Sequence, residues 1–449
     1  MISYFYFLYI NVYKKVKIMI DRNIGYGYND LCIVPAKSSK VTSRSECFEY
    51  YKDGNLPIFA SPMSSVVNIE NFNLWESNNI IPVLPRNIQY DIRLDYLKQN
   101  KWVALSLSEF EELFINNDSF MNNTSRVVKV CVDLANGHMD KLINSCKITK
   151  DKYQDNLIIM TGNIANPETY LEYCEAGIDY VRCSIGSGSC CTTASNTAVH
   201  YPIASLIDEI NTIKQSRKHI YEPAYDKFCT KIIADGGIRN YNDVIKALAL
   251  GADYVMIGGL FASFIESAGL ITEGNSFINL DNTRDYEHDI KIINQEFDAD
   301  YLLNKIIIKG PLSMNDKYDI YDNCDGVETF KVLLGNNLIQ YFYIFDIYNP
   351  NLHEAIKRSI VDLYKFKKQM YGMSTKTAQR LIKSDNELKT AEGIEKTIEV
   401  KYTMKQWVDN MRSYLRSTMS YCDSFSLEQF IGKQTLKVQS PSEIYSVNK

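Results

Sequence analysis

The chain has no run of basic residues, no cysteine pair at a zinc-ligand spacing and no apolar stretch long enough to span a bilayer. Each absence removes a class of function. Without a basic run, and with a net charge of -5, nucleic acid is disfavoured as the main partner. The 11 cysteines are odd in number and scattered, and the adjacent Cys190-Cys191 cannot serve as a zinc pair. Free thiols in a large chain point to a reducing, cytoplasmic compartment. The apolar start, Met1 to Ile10, is followed rather than preceded by Lys14, Lys15 and Lys17, and no small-residue cleavage site comes after it. A secretory signal would show the reverse order, and a spanning helix needs about 20 apolar residues. Residues 1–22 therefore read as an N-terminal extension, with Met19 as an alternative start and a surface-binding helix as the outside reading.

What the chain does have is a core-forming composition, 45% hydrophobic and 23% charged over 449 residues. Short apolar, β-rich runs recur at Pro57–Ser61, Ile80–Leu84, Trp102–Ser106, Val127–Asp133, Leu157–Thr161, Tyr180–Ile185, Lys231–Asp235 and Tyr254–Gly258. They are continuous rather than alternating, which marks strands buried on both faces of a parallel sheet. Helical stretches lie between them, among them Pro167–Ala176 and Asn242–Leu250, each followed by a capping glycine, Gly177 and Gly251. Eight β/α repeats predict an α/β fold, a (β/α)8 TIM barrel over residues 23–449. A doubly wound open sheet is the alternative. From Leu270 to Lys365 the texture changes to Asn, Asp, Tyr and Ile, without glycine-loop signals. Residues 270–365 read as an insertion in the last β/α loop, folded because of its apolar patches Val332–Leu334 and Ile339–Ile347.

Chemistry in such a barrel gathers where the strands end. Met63, Arg86, Asp133 and Asn163 fall at the ends of the first, second, fourth and fifth runs. The sixth is followed by Ile185-Gly186-Ser187-Gly188-Ser189-Cys190-Cys191-Thr192-Thr193, the seventh ends in Asp235-Gly236-Gly237 and the eighth in Gly258-Gly259. With Gly372-Met373-Ser374, these glycines offer unobstructed backbone N–H groups, and Ser189 and Ser374 add hydroxyls, enough to cradle a phosphate. Asp235 is placed to accept hydrogen bonds from ribose hydroxyls. A thiol in a glycine loop among hydroxyls is a candidate nucleophile, and residue types alone leave Cys190 and Cys191 equally open. Glu392-Gly393, after a polar segment from Thr375 to Ala391, becomes an acid/base candidate if that segment folds over the loop as a lid.

Taken in order, these pieces resemble the inosine monophosphate dehydrogenase and guanosine monophosphate reductase family, from about Tyr28 to Phe430 with the insertion as an interruption. The resemblance runs through Tyr28-Asn29-Asp30-Leu31, Ser43-Arg44-Ser45, Ala60-Ser61-Pro62-Met63, Asp133-Leu134-Ala135-Asn136-Gly137, Gly162-Asn163, the Cys loop, Ala234-Asp235-Gly236-Gly237, Met256-Ile257-Gly258-Gly259, Tyr371-Gly372-Met373-Ser374 and Glu392-Gly393. It implies that Cys191 is the nucleophile that attacks purine C2, and that Cys190 holds the variable position. It implies a nucleotide phosphate on Ser189, Gly237, Gly258, Gly259 and Ser374, and ribose on Asp235. The base would meet Met373 and Glu392, and Met63, Gly236, Tyr371 and Gly372 would complete the substrate site. Thr193 and Glu392 would relay protons. A nicotinamide cofactor would lie near Arg86, Asp133, Asn163, Lys389 and Ser417. The carbonyls of Gly186, Gly188 and Cys191 would hold a potassium ion, and the assembly would be a homotetramer.

The resemblance favours the reductase branch, which converts GMP to IMP with NADPH and releases ammonia. The dehydrogenase branch supplies its hydrolytic base from a flap carrying an Arg-Tyr pair, whereas here Arg380 is followed by Leu381. Only Ile88 to Lys101 separate Asn87 from Trp102, too few for that branch's regulatory domain. Arg416-Ser417-Thr418 with Tyr421 is similar to the reductase's closing helix. Lys389 stands where reductases place a basic residue near the cofactor 2′-phosphate. Departures from the pattern are Ser64, Ser187, Ala194, His200 and Ile203. IMP dehydrogenase, and a purine-nucleotide-binding homologue with weakened catalysis, are the alternatives.

Overall fold

The computed structural model describes residues 24–124, 126–221, 229–273, 277–279, 305–309, 327–334, 338–363, 366–382 and 393–447. The N-terminal extension 1–22 lies outside them, as do Lys389 and Glu392. After a short strand β1 (Leu31–Val34) come β2 (Ile58–Ala60), β3 (Ile81–Leu84), β4 (Trp102–Leu105), β5 (Val128–Asp133), β6 (Leu157–Ile164), β7 (Tyr180–Cys183), β8 (Lys231–Asp235) and β9 (Tyr254–Ile257). All eight strands from β2 to β9 pair in parallel with their sequence neighbours, and β9 returns to β2, closing the barrel. The closed barrel replaces the open sheet that the strand pattern alone allowed. The eight apolar runs coincide with its strands because each is covered on both sides: helices outside, and inside a plug of Phe59, Trp102, Met160, Ile233, Tyr254 and Met256. The plug fills the N-terminal half of the lumen and leaves polar side chains at the C-terminal mouth.

Glycine ends the helices as their sequence suggests. The helix Thr169–Glu175 is followed by Gly177 at φ +71°, and the helix Tyr241–Leu250 is capped by Gly251 at φ +120°. At Gly251 the need is also steric, since a Cβ would meet Asn211 Cγ at 2.2 Å.

Beyond β9 the chain forms β10 (Ile271–Glu273), β11 (Phe277–Asn279), β12 (Lys305–Lys309), β13 (Val327–Leu334), β14 (Leu338–Asp346), β15 (Lys367–Tyr371), β16 (Glu395–Glu399) and β17 (Thr435–Val438). The apolar patches read from the sequence fall in β13 and β14, which join β11 and β12 in a four-stranded sheet ordered β11-β12-β14-β13. Ile306, Tyr343 and Phe345 of that sheet share a buried cluster with Ile265, Phe366 and Val400. A buried carboxylate reinforces the junction: Glu266 lies 3.5 Å from Lys357 Nζ and accepts the Met404 amide at 2.9 Å. Lys368 Nζ donates to the carbonyls of Ile265 and Ser267, both at 2.6 Å. β10 and β15 pair antiparallel, Ile271 opposite Lys368, so the chain leaves the barrel and returns at neighbouring positions.

The helix Met404–Tyr421 then packs back on the barrel, buried through Trp407, Val408, Met411, Leu415 and Met419. Trp407 stacks on Tyr241 at 5.3 Å and meets the Phe261 ring edge-on at 5.1 Å. Because Trp407 is fully buried among these rings, Trp407→Ala is expected to cost about 3–5 kcal/mol of unfolding free energy. Urea denaturation followed by circular dichroism measures it.

Candidate active site

The C-terminal ends of the barrel strands line a cleft of about 1640 Å³. This exceeds the roughly 300–1,000 Å³ usual for one small-molecule site, so the cleft has room for two ligands side by side. A smaller cavity of about 280 Å³ lies at the opposite, N-terminal mouth against Phe59, Trp102, Tyr180 and Tyr254.

The cleft wall brings together Met63, Arg86, Asp133, Asn163, Gly186, Gly188, Ser189, Cys191, Thr193, Asp235, Gly236, Gly237, Gly258, Gly259, Gly372, Met373 and Ser374. Two of the residues read from the sequence stand apart. Tyr371 is buried behind the wall, where its carbonyl accepts the Ser65 hydroxyl at 3.2 Å. Ser417 sits on the helix Met404–Tyr421, where the Arg44 guanidinium donates to it at 3.4 Å, outside the cleft lining.

Contacts in the glycine loops are close. A Cβ on Gly259 would lie 2.2 Å from Ser189 Oγ, and one on Gly258 would lie 2.5 Å from Met63 Sδ. Gly236 and Gly237 both have positive φ, +100° and +73°. The Gly237 amide, expected to face a phosphate, instead donates to the Ser187 carbonyl at 3.1 Å and ties the two loops together.

The adjacent thiols have separate environments. Cys190 is 5% exposed, sits in the main hydrophobic cluster and points toward the Met370 carbonyl. Burial pushes its thiol up, against an opposing influence from Lys396. Cys191 is partly exposed in the cleft, with Thr193 Oγ1 at 3.3 Å from its sulfur. The thiolate is the nucleophile, and burial in apolar surroundings suppresses it, so the exposed partner is the reactive candidate. Cys191 bridges antiparallel to Gly393, and the Ile394 amide donates to the Cys190 carbonyl at 2.9 Å. A Cβ on Gly393 would come within 2.8 Å of Ser374 Oγ. The segment that begins immediately after Glu392 therefore lies against both the thiol loop and Ser374.

A residue that the sequence reading missed organises the mouth. Arg182, 8% exposed, pairs with Asp133 at 2.7 Å and with Asp235 at 2.8 Å. Arg86 approaches Asp133 from the other side at 3.7 Å, and Asn163 Nδ2 donates to Asp235 Oδ2 at 2.8 Å. Burial alone would raise the Asp133 carboxyl, but the charges of Arg182 and then Arg86 hold it below the ordinary carboxylate range. The signal was present in the sequence: Arg182 is the one charged residue in the apolar run Tyr180–Ile185. Ser106, Ser108 and Glu109 after β4, and Lys396 on β16, also line the cleft and carried no glycine motif to announce them.

Comparison with known proteins agrees with this geometry. A family model described as the IMP dehydrogenase / GMP reductase domain matches residues 98–279. Residues 98–279 of the chain are similar to that domain. The GMP reductase of Buchnera aphidicola subsp. Baizongia pistaciae is 29% identical over 273 residues, covering 57% of this chain and 73% of that protein. The GMP reductase of Photobacterium profundum is 29% identical over 268 residues, covering 57% and 74%. GMP reductase 2 of Bos taurus is 29% identical over 273 residues, again covering 57% and 74%. The matched domain contains β5 to β9 and so every member of the ion-pair ladder except Arg86.

Replacing Arg182 with Met would leave two carboxylates facing each other without their cation. A loss of about 3–5 kcal/mol in stability is expected. A depressed carboxylate pKa stabilises the fold above the ordinary carboxylate range, and this stability is lost as pH falls through the depressed value. Without Arg182 that depression shrinks, so acid unfolding of Arg182→Met should begin at higher pH than in the wild type. A circular dichroism titration against pH reads the shift.

Proposed function

We propose that the protein is a GMP reductase, an oxidoreductase that converts GMP and NADPH to IMP, ammonia and NADP. The observation that carries the reading is the partly exposed Cys191, beside Thr193, in a cleft that Ser189, Gly259 and Ser374 also line, around a space suited to a phosphate. With the phosphate there and ribose on Asp235, the purine C2 faces the Cys191 sulfur. Among the described residues, Arg182 and Asn163 both bond Asp235 through Oδ2, which fixes the carboxylate and leaves Oδ1 for a ribose hydroxyl.

Cys191 attacks C2 as the thiolate, and the exocyclic amine departs as ammonia after taking a proton. Thr193, beside the sulfur, and Glu392, one residue before Gly393, relay that proton. Met63 and Met373 flank the base. The residues at the other end of the cleft fit a nicotinamide cofactor. The volume exceeds that of one nucleotide, and Arg86 Nε is buried there without a hydrogen-bond partner. When bound, the cofactor would supply a hydride to C2, and the C2–sulfur bond would break to release IMP and the Cys191 thiolate. Arg86 and Asp133 would hold it, Asn163 would support it through Asp235, and Lys389 would meet the 2′-phosphate of NADPH. The same reading includes a homotetramer in the cytoplasm, Ser417 on the cofactor side, and a potassium ion on the Gly186, Gly188 and Cys191 carbonyls. The Gly188 carbonyl already accepts the Cys191 amide at 3.0 Å, and its second lone pair is the one a cation would use. Among the described residues no helix is long and apolar enough to cross a membrane.

The assay is GMP with NADPH, reading absorbance loss and ammonia, and in parallel IMP with NAD. GMP-dependent NADPH consumption with equimolar ammonia is expected; XMP formation from IMP and NAD would overturn the reading. Cys191→Ser is expected to lose roughly 1,000-fold or more in turnover while still binding GMP, and Cys190→Ser to stay within about tenfold of wild type.

A further inference from the structure

Lys396 lies at the phosphate end of the cleft, on β16. Its register partner on β15 is Met370, two residues before Gly372-Met373-Ser374. Its ammonium donates to the Ser189 carbonyl at 2.6 Å, and it lines the cleft with Ser189, Gly259 and Ser374. That contact is to a neutral oxygen. Among the described residues no carboxylate lies within ion-pair range of Lys396, whereas deeper in the mouth Arg86 is matched to Asp133, and Arg182 to Asp133 and Asp235. A phosphate monoester brings close to two negative charges. Ser189 and Ser374 hydroxyls and backbone amides can orient it, but they supply no full positive charge. A lysine held beside the cradle supplies it as a mobile point charge on a flexible stem.

We propose that Lys396 is a phosphate-binding residue of this site, neutralising the 5′-phosphate of a purine nucleoside monophosphate. The assignment rests on the reading of the cleft as a purine-nucleotide site. Lys396 exchanges the Ser189 carbonyl for the phosphate, or bridges the two.

The test compares GMP with guanosine, which lacks only the phosphate, in wild type, Lys396→Met and Lys396→Arg. Binding is followed by calorimetry and turnover by NADPH absorbance. For Lys396→Met a 10- to 100-fold weaker GMP affinity and a matching rise in KM are expected, with guanosine affinity unchanged and the salt dependence of GMP binding reduced. Lys396→Arg, which keeps the charge, should recover most of the GMP affinity. If Lys396→Met weakens GMP and guanosine equally, or leaves GMP affinity within twofold of wild type, the proposal is overturned. If wild type binds neither ligand, it is the purine-nucleotide reading itself that fails.

Discussion

Arg182 sets a full positive charge inside the mouth of a barrel whose lower half is sealed by aromatic and aliphatic side chains. A buried guanidinium is tolerated only when paired, and here it is paired twice, to Asp133 at the end of β5 and to Asp235 at the end of β8. Those carboxylates lie on opposite sides of β7, so the cation fastens three strand ends at the point where the Cys191 loop begins. Arg86 joins the row at Asp133 and Asn163 at Asp235. The loop glycines, the Cys191 thiol and Oδ1 of Asp235 are all positioned relative to that row.

Much of this was legible in the sequence. The barrel was, because strands buried on both faces leave continuous apolar runs, and Gly177 and Gly251 mark helix ends by conformations other residues resist. The Cys loop, Asp235-Gly236-Gly237 and Gly258-Gly259 were legible for the same reason: where backbone must approach backbone or ligand, only glycine fits, and Gly259 against Ser189 shows how closely. The choice between Cys190 and Cys191 was not legible from residue types, since burial separates two neighbours that composition cannot. Nor was Lys396, whose surroundings in sequence are those of any exposed strand, and whose position depends on pairing with β15. The Gly237 amide shows the opposite error. A free N–H was inferred from residue type, but the fold spends it on Ser187.

The region after β9 is joined to the barrel by more than its chain ends. Glu266 meets Lys357 from the helix Glu354–Leu363 and the first amide of the helix Met404–Tyr421, so a single buried carboxylate touches both the added segment and the closing helix. Lys368, one strand away, donates to three neighbouring carbonyls and carries β15 toward Gly372. The added sheet therefore docks on the same elements that present Met373 and Ser374 to the cleft.

The pairing of Ile271 with Lys368 has a consequence for how such a chain can change over time. When the two ends of a segment are clamped side by side, its length adds only a slowly growing closure entropy, about 0.6 kcal/mol for each doubling. Residues can be gained or lost between β10 and β15 while the geometry on either side of the clamp stays as it is. A barrel built this way can acquire a large appendage beside its cleft without repositioning a single residue that lines it.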